Sequence, residues 1–135
     1  SASGTDFILN TGSPHLVRIV KQLDSFPVFE VGQTIRNEER FGPRGINVNF
    51  VERTESPEQI RVRTYERGVE DETLSCGTGV TACAIARAII DQKVEPCTIE
   101  TKGGQLMVRF QTKDFAHFTH IHLIGPATKV FEGTY

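Results

Sequence analysis

Apolar side chains recur at every second position in two stretches of the first half of the chain, residues 46–52 and 59–66. Polar residues stand between them, and a polar turn over residues 54–57 separates the two stretches. A period of two is typical of β-strands. We predict that each strand buries one face only, as in an antiparallel sheet with one solvated side. Asn47, which alternates with apolar residues, is expected to face either solvent or a cleft.

Two other stretches have the period of a helix. Apolar residues over residues 27–37 are spaced by three and then four, which predicts a short helix. Over residues 77–92, Ala, Val, Cys and Ile occupy nearly every angle around the axis, which predicts a helix buried on most sides. Arg87 is the candidate for its one solvated edge. Further strands are predicted over residues 7–10, 15–20, 97–101, 106–110, 118–124 and 129–132. A helix beginning at Ser13 is the alternative to the second of these strands.

The order of these elements predicts the fold class. We expect an α+β fold in which a curved, mostly antiparallel sheet or open barrel wraps around one central apolar helix. Turns at residues 103–104 and 125–126 separate the later strands. The 135 residues fit a single domain over residues 5–135. The small and polar residues 1–4 are interpreted as a cloning remnant or a cut end.

Charge and hydropathy argue against two classes of partner. Fifteen Lys and Arg stand against 17 Asp and Glu, a formal net charge of -2, and the two signs are interspersed. No basic stripe is available for a phosphate backbone, so nucleic-acid binding is not expected. The longest apolar stretch, residues 80–90, is far shorter than the roughly 20 residues of a membrane span, and no signal peptide or anchor is visible.

The cysteine content indicates a reducing compartment. Three cysteines, Cys76, Cys83 and Cys97, are an odd number, so at least one thiol stays unpaired within the chain. We therefore expect a cytoplasmic protein. No Cys-x-x-Cys is present, and the histidines of residues 117–122 lack a cysteine or carboxylate pair at ligand spacing, so no metal site is expected.

Cys76 directly precedes the predicted long helix. A helix N-terminus presents unpaired N–H groups and about half a positive charge, which lowers the pKa of a thiol placed there. The amides of Gly77 and Thr78 can also hold a carboxylate or a phosphate, and the glycines at 77 and 79 allow a ligand to approach the backbone. Cysteines are also common in cores, and glycine-rich turns often serve geometry alone. The motif by itself leaves both interpretations open.

Other candidate groups lie near this segment in the sequence. Glu66 can accept a thiol proton, and Arg67 can hold a carboxylate through two parallel hydrogen bonds; a solvated pair at a strand end is the alternative. Cys83 lies two turns along the helix and Cys97 opens a strand, so both are expected in the core. His15 follows a turn that could present its imidazole, although a lone histidine is more often structural.

Five segments together resemble the carboxy-terminal lobe of the two-lobed, cofactor-independent diaminopimelate epimerases, over nearly the whole chain. They are Thr-Gly-Ser-Pro-His at residues 11–15, Phe-Gly-Pro at 41–43 with Asn-Val-Asn-Phe at 47–50, Tyr-Glu-Arg-Gly at 65–68, Leu-Ser-Cys-Gly-Thr-Gly at 74–79, and Gly-Pro-Ala at 125–127 with Val-Phe-Glu-Gly at 130–133. Each segment alone is weak. Their joint occurrence in this order and spacing makes the resemblance specific.

This resemblance implies a reaction and a set of roles. Cys76 is one of two thiols that face each other across the substrate α-carbon, one removing its proton and the other returning a proton from the opposite side. The implied substrate pair is L,L- and meso-diaminopimelate, which belongs to lysine and peptidoglycan precursor synthesis, and no cofactor is required. The resemblance also implies that Glu66 relays the proton of Cys76 and that His15 lies closest to the partner thiol. The amides of Gly77 and Thr78 would bind the reacting carboxylate. Substrate contacts are implied for Ser13, Asn47 and Arg67.

The chain departs from the family pattern in three ways. Ser13 stands where the family often has asparagine, and the loop after Gly68 is one residue longer and more acidic. The amino-terminal lobe with the opposing cysteine is absent from the chain, so we expect it to be inactive alone and to need that lobe as a partner, with a homodimer as a further option. A proline- or histidine-type racemase lobe and a non-catalytic carboxylate-binding module remain the alternatives.

Overall fold

The computed structural model describes residues 6–74 and 77–125, together with the backbone of residues 129–133. The helices in these ranges are α1 (Val28–Arg36) and α2 (Gly77–Asp91), with 3-10 turns at Leu23–Ser25 and Glu39–Phe41. The strands are β1 (Asp6–Asn10), β2 (Pro14–Ile19), β3 (Asn47–Arg53), β4 (Gln59–Glu66), β5 (Asp71–Thr73), β6 (Cys97–Thr101), β7 (Gly104–Gln111), β8 (Thr119–Ile124) and β9 (Lys129–Gly133). Both predicted helices and the predicted strands are confirmed, and the stretch after Ser13 is a strand. β5 was missed because three residues are too few for alternation to show.

These strands form one sheet in the order β1-β2-β3-β4-β6-β7-β8-β9, with β5 paired to β4. Within the described residues most neighbouring pairs are antiparallel, which confirms the predicted curved, mostly antiparallel sheet. β2 pairs with β3 and β4 pairs with β6 in parallel. Parallel neighbours need a long crossover. α1 lies in the first of these connections and α2 in the second.

α2 occupies the core on one face of the sheet. Every residue of α2 from Gly79 to Ala88 is buried. Its side chains pack with apolar residues of the surrounding strands, including Val17, Val51 and Ile99. A helix that is apolar on all sides must be enclosed on all sides, and the curvature of the sheet provides this enclosure. The prediction of a central apolar helix is confirmed.

α1 covers the opposite face of the sheet near β3 and β4. Val48 and Phe50 of β3 pack on the α1 side, whereas Val51 belongs to the cluster around α2. All five residues from Asn47 to Val51 are buried. The prediction that this strand buries one face only was wrong. Its polar alternation reflects a buried hydrogen-bonded face, since buried polar groups persist where they find partners.

Arg87 lies inside the molecule and not on a solvated edge of α2, which corrects the prediction for this residue. Its side chain is 2% exposed. Its Nε lies 3.4 Å from the carboxylate of Asp91 one turn along the helix, and its Nη2 donates to the backbone oxygen of Pro57. A charge can be buried at this position because a carboxylate of opposite sign faces it.

Cys83 and Cys97 are both fully buried, which confirms that they are core residues. Burial raises the pKa of the Cys97 thiol to about 11. Within residues 6–74 and 77–125, no three His, Cys, Asp or Glu side chains come together as a metal site would require. None of the helices in that part of the chain has the length and apolar character needed to cross a membrane.

Candidate active site

Three buried polar residues lie side by side on the face of the sheet that packs against α2. Alternation along β2, β3 and β4 directs His15, Asn49 and Thr64 to this face. His15 and Asn49 are 0% exposed and Thr64 is 2% exposed. Groups buried this deeply must hydrogen-bond within the protein, since their loss of water is otherwise costly. The contacts that they make connect the sheet to the beginning of α2.

His15 makes the connection to α2. Its Nε2 lies 2.8 Å from Oγ1 of Thr78 and 3.1 Å from Oγ of Ser13. The two hydroxyl oxygens are themselves 3.2 Å apart. In addition, the hydroxyl of Thr11 donates to the backbone oxygen of Thr78 over 2.6 Å. The turn at residues 11–15 and the first turn of α2 are therefore held together by a compact set of hydrogen bonds.

The imidazole of His15 is neutral at pH 7. Burial, with a smaller contribution from the positive charge of Arg67, lowers the pKa of His15 from 6.5 to about 4. Removing the ring from water disfavours its charged form, and a nearby cation does the same. The positive potential at the beginning of α2 therefore comes from the helix and from Arg67, and not from His15.

Asn47, at the first position of β3, joins three segments of the site. Its Nδ2 donates to the backbone oxygen of Pro14 over 3.1 Å and to Oγ of Ser13 over 3.4 Å. Its Oδ1 accepts from the backbone N–H of Arg67 over 3.0 Å. The guanidinium of Arg67 lines an open pocket beside Arg44 and Pro14. Asn47 thus fixes the turn before β2 against the end of β4, next to a cationic pocket.

Glu66 is the last residue of β4, and the loop that follows it is ordered by Glu70. The Glu70 carboxylate accepts from the backbone N–H of Gly68 over 2.9 Å, from Nε of Arg36 over 2.9 Å and from the hydroxyl of Tyr65 over 3.1 Å. These hydrogen bonds, the one from Gly68 foremost, lower the pKa of Glu70. The acidic loop between β4 and β5 is therefore held to α1 through Arg36 and to β4 through Tyr65. Glu66, at the beginning of this loop, is half-buried.

Glycines allow close contact at the beginning of α2. Gly77 is the first residue of the helix, and a Cβ added to it would lie 3.0 Å from Cδ2 of Leu123. Gly12 has a φ of +115°, a backbone conformation that other residues rarely adopt, and its Cα faces the Thr78 side chain. Cys76 lies outside the described residues, as does part of the predicted turn at residues 125–126. The catalytic role of the Cys76 thiol remains a prediction from the sequence.

The described part of the chain brings most of the predicted site residues together. Hydrogen bonds connect one group of five, made up of Ser13, His15, Asn47, Thr78 and the backbone of Arg67. Glu66 precedes Arg67 in the chain, and Gly77 precedes Thr78. Sequence reasoning missed three further members. They are Thr11, Asn49 and Thr64. The signal available for Asn49 was its spacing of two from Asn47 in an otherwise apolar strand.

Comparisons with known sequences agree with this arrangement. The family model described as diaminopimelate epimerase matches residues 7–130. A diaminopimelate epimerase of Flavobacterium psychrophilum is 51% identical over 127 residues, which cover 93% of this chain and 49% of the relative. A diaminopimelate epimerase of Aquifex aeolicus is 44% identical over 129 residues, which cover 93% of this chain and 44% of the relative. The chain thus spans about half the length of the curated relatives it matches.

Solved structures share the fold at low sequence identity. A predicted epimerase of Pseudomonas aeruginosa superposes with a TM-score of 0.59 at 15% identity, covering 84% of this chain and 36% of that chain. A hydroxyproline epimerase of Agrobacterium vitis, with bound trans-4-hydroxy-L-proline, has a TM-score of 0.57 at 15% identity and covers 84% of this chain and 38% of that chain. At such identities the likeness concerns the fold alone.

Proposed function

Because this chain belongs to the diaminopimelate epimerase family, we propose that it forms the carboxy-terminal lobe of an isomerase that interconverts L,L- and meso-diaminopimelate without a cofactor. The observation that carries the proposal is the family match over residues 7–130. It is supported by the hydrogen-bonded convergence of Ser13, His15, Asn47 and Thr78 at the beginning of α2. We also propose that a second lobe is required for activity and that diaminopimelate is the substrate.

The proposed reaction is an inversion at the α-carbon by two thiols. The thiolate of Cys76 or of its counterpart takes the α-proton from one face, and the other thiol gives a proton to the opposite face. The α-hydrogen of an amino acid is a very weak acid, so the site must stabilise the negative charge that develops on the carboxylate. We assign the backbone amides of Gly77 and Thr78 to this task, because a helix N-terminus holds anions.

The proposal also assigns other side chains of this lobe to proton transfer and substrate binding. We assign Glu66, the last residue of β4, to accept or relay the Cys76 proton, as the family resemblance implies. We assign His15 to the position nearest the partner thiol, as the family resemblance implies. Ser13, Asn47 and Arg67 are assigned to substrate contacts.

A proline-type racemase is the second candidate, because the solved structures that share the fold include the hydroxyproline epimerase. The two candidates differ in what must be recognised away from the reacting carbon. Diaminopimelate carries a second carboxylate, whereas hydroxyproline carries one carboxylate only. The pocket that Arg67 lines also contains Arg44, as well as Arg40, whose Nε pairs with the Glu38 carboxylate over 2.6 Å. A guanidinium binds a carboxylate well, so this cationic lining favours the dicarboxylate substrate.

The decisive experiment joins this chain to the part of the Flavobacterium psychrophilum relative that it does not cover. The chimaera is incubated with L,L-diaminopimelate in deuterium oxide, and mass spectrometry and chiral chromatography follow α-deuterium incorporation and the meso product. We expect both to form, and Cys76→Ala to abolish both. Cys83→Ala, which alters a core thiol, is the matched control and should retain activity. A folded chimaera that processes proline and not diaminopimelate would establish the second candidate instead.

A further inference from the structure

Asn49 is buried between His15 and Thr64 and uses both ends of its amide. Its Oδ1 accepts a hydrogen bond from the hydroxyl of Thr64 over 2.8 Å. Its Nδ2 donates to the backbone oxygen of Leu16 over 3.1 Å and lies 3.0 Å from Nδ1 of His15. Asn49 has no exposed surface, so water does not compete for these contacts.

The partners of Asn49 determine which end of the amide faces His15. A backbone carbonyl can only accept, so the group next to the oxygen of Leu16 must be the NH2 group. That same NH2 group faces Nδ1 of His15, and its second hydrogen is directed to the ring. A nitrogen that receives a hydrogen bond carries no proton of its own in the neutral ring.

We propose that Asn49 is a positioning residue that holds His15 in the neutral tautomer with its proton on Nε2. Nε2 then donates toward Oγ1 of Thr78, 2.8 Å away at the beginning of α2. Thr64 supports this arrangement because its hydroxyl occupies Oδ1 of Asn49 and keeps the amide from turning over. His15 therefore faces the site as a hydrogen-bond donor in the resting protein, and its other nitrogen is not available as a base.

This inference rests on the proposed function only for its catalytic consequence. If the lobe takes part in epimerisation, the imidazole acts in the resting state by orienting hydroxyl groups at the beginning of α2. The position of the proton itself is a property of the 135-residue chain. It can be measured without substrate and without a second lobe.

The test is long-range proton–nitrogen NMR of the uniformly nitrogen-15-labelled chain at pH 7. The chain has four histidines, and loss of one set of signals in His15→Gln assigns the ring. We expect Nε2 of His15 to carry the proton and Nδ1 to be unprotonated. Nδ1 protonated in the unaltered chain would overturn the proposal, and this outcome requires no variant to fold.

Asn49→Asp tests the cause. A carboxylate cannot donate to Nδ1 but accepts a hydrogen bond from it, so Nδ1 of His15 should become protonated. Asn47→Asp is the matched control, because it places the same charge two residues earlier on the same face of β3 but not next to Nδ1 of His15. In this variant Nδ1 of His15 should stay unprotonated. An unprotonated Nδ1 in folded Asn49→Asp, or the same change in both variants, would show that Asn49 does not set the tautomer.

The catalytic consequence has its own readout in the active chimaera. Asn49→Asp should lower kcat by about tenfold or more while KM changes little, since a misplaced imidazole proton affects catalysis more than binding. An unchanged kcat would show that the tautomer of His15 has no role in catalysis. The NMR assignment of the tautomer would not be affected. If the chimaera is inactive altogether, the proposed function fails and the tautomer measurement is unaffected.

Discussion

At the scale of single residues, the three cysteines of this chain are expected to differ sharply in reactivity. Cys76 directly precedes α2, whose N-terminus favours the thiolate, whereas Cys83 and Cys97 are fully buried. In the folded chain, iodoacetamide at neutral pH should modify Cys76 faster than the other two, as followed by peptide mapping. In denaturant the three rates should converge. Equal labelling of all three thiols in the folded protein would contradict the assignment of Cys76.

His15 should make the stability of the chain depend on pH. Its pKa falls from 6.5 to about 4 on folding, so the unfolded chain binds more protons between these two values. The contribution of neutral His15 is fully present above pH 6.5 and is lost as the pH falls toward 4, by up to roughly 3 kcal/mol. Urea unfolding across this range should show a weaker pH dependence for His15→Gln than for the unaltered chain.

The matched control for this measurement is His120→Gln, which changes an exposed histidine of β8. The stability of His120→Gln should depend on pH as that of the parent does. Carboxylates that titrate in the same range are present in the parent and in both variants, so they do not cause a difference among the three proteins. If His15→Gln and the parent lost stability in parallel between pH 6.5 and 4, the imidazole would not be buried in its neutral form.

At the scale of elements, the docking of α1 on β4 depends on a glycine. A Cβ added to Gly32 would lie 2.5 Å from Cβ of Tyr65. Alanine in place of a helical glycine gains about 1 kcal/mol of helix propensity, but overpacking of a core costs about 1–3 kcal/mol. At so short a distance the clash dominates. We expect Gly32→Ala to destabilise the fold by about 2 kcal/mol in chemical denaturation.

Gln33→Ala, at an exposed position of the same helix, separates packing from propensity. It should leave stability unchanged or raise it slightly. Gly32→Ala should also disturb the loop at residues 66–70, because Tyr65 holds Glu70 through its hydroxyl. A Gly32→Ala protein as stable as Gln33→Ala would mean that α1 can move away from β4 without loss.

At the scale of the whole molecule, the 135-residue chain alone should neither exchange nor invert the α-hydrogen of diaminopimelate. Inversion requires removal of a proton from one face and delivery to the other, and in the proposed two-thiol mechanism Cys76 serves one face only. A second acid must also be placed closely, because an error of about 1 Å can cost 100-fold in rate. The measurement is incubation with L,L-diaminopimelate in deuterium oxide, with and without a separately produced second lobe.

The outcome of this experiment bears directly on the one-lobe interpretation. Exchange that appears only with the second lobe would support it. Epimerisation by the chain alone, lost in Cys76→Ala, would place the second acid within this chain or in an assembly of its copies.

The sequence by itself determined the elements whose pattern is local. Residues 77–92 predicted α2 because apolar residues surround the whole helix axis, and alternation predicted β3 and β4. The segments around His15, Asn47, Arg67 and Thr78 identified the family, since their residue types and order are visible without coordinates.

Only the tertiary structure decided what the polar positions do. Alternation directs the side chains of Asn49 and Phe50 to opposite faces of the sheet. It does not say whether the face that carries Asn49 meets water or another buried layer. The parallel pairing of β2 with β3 and the packing of α2 decided this, because they put His15, Asn49 and Thr64 in contact on a covered face. Arg87 was misjudged for the same reason. Its partner Asp91 is visible one turn away in the sequence, but burial of the pair depends on strands that are distant along the chain.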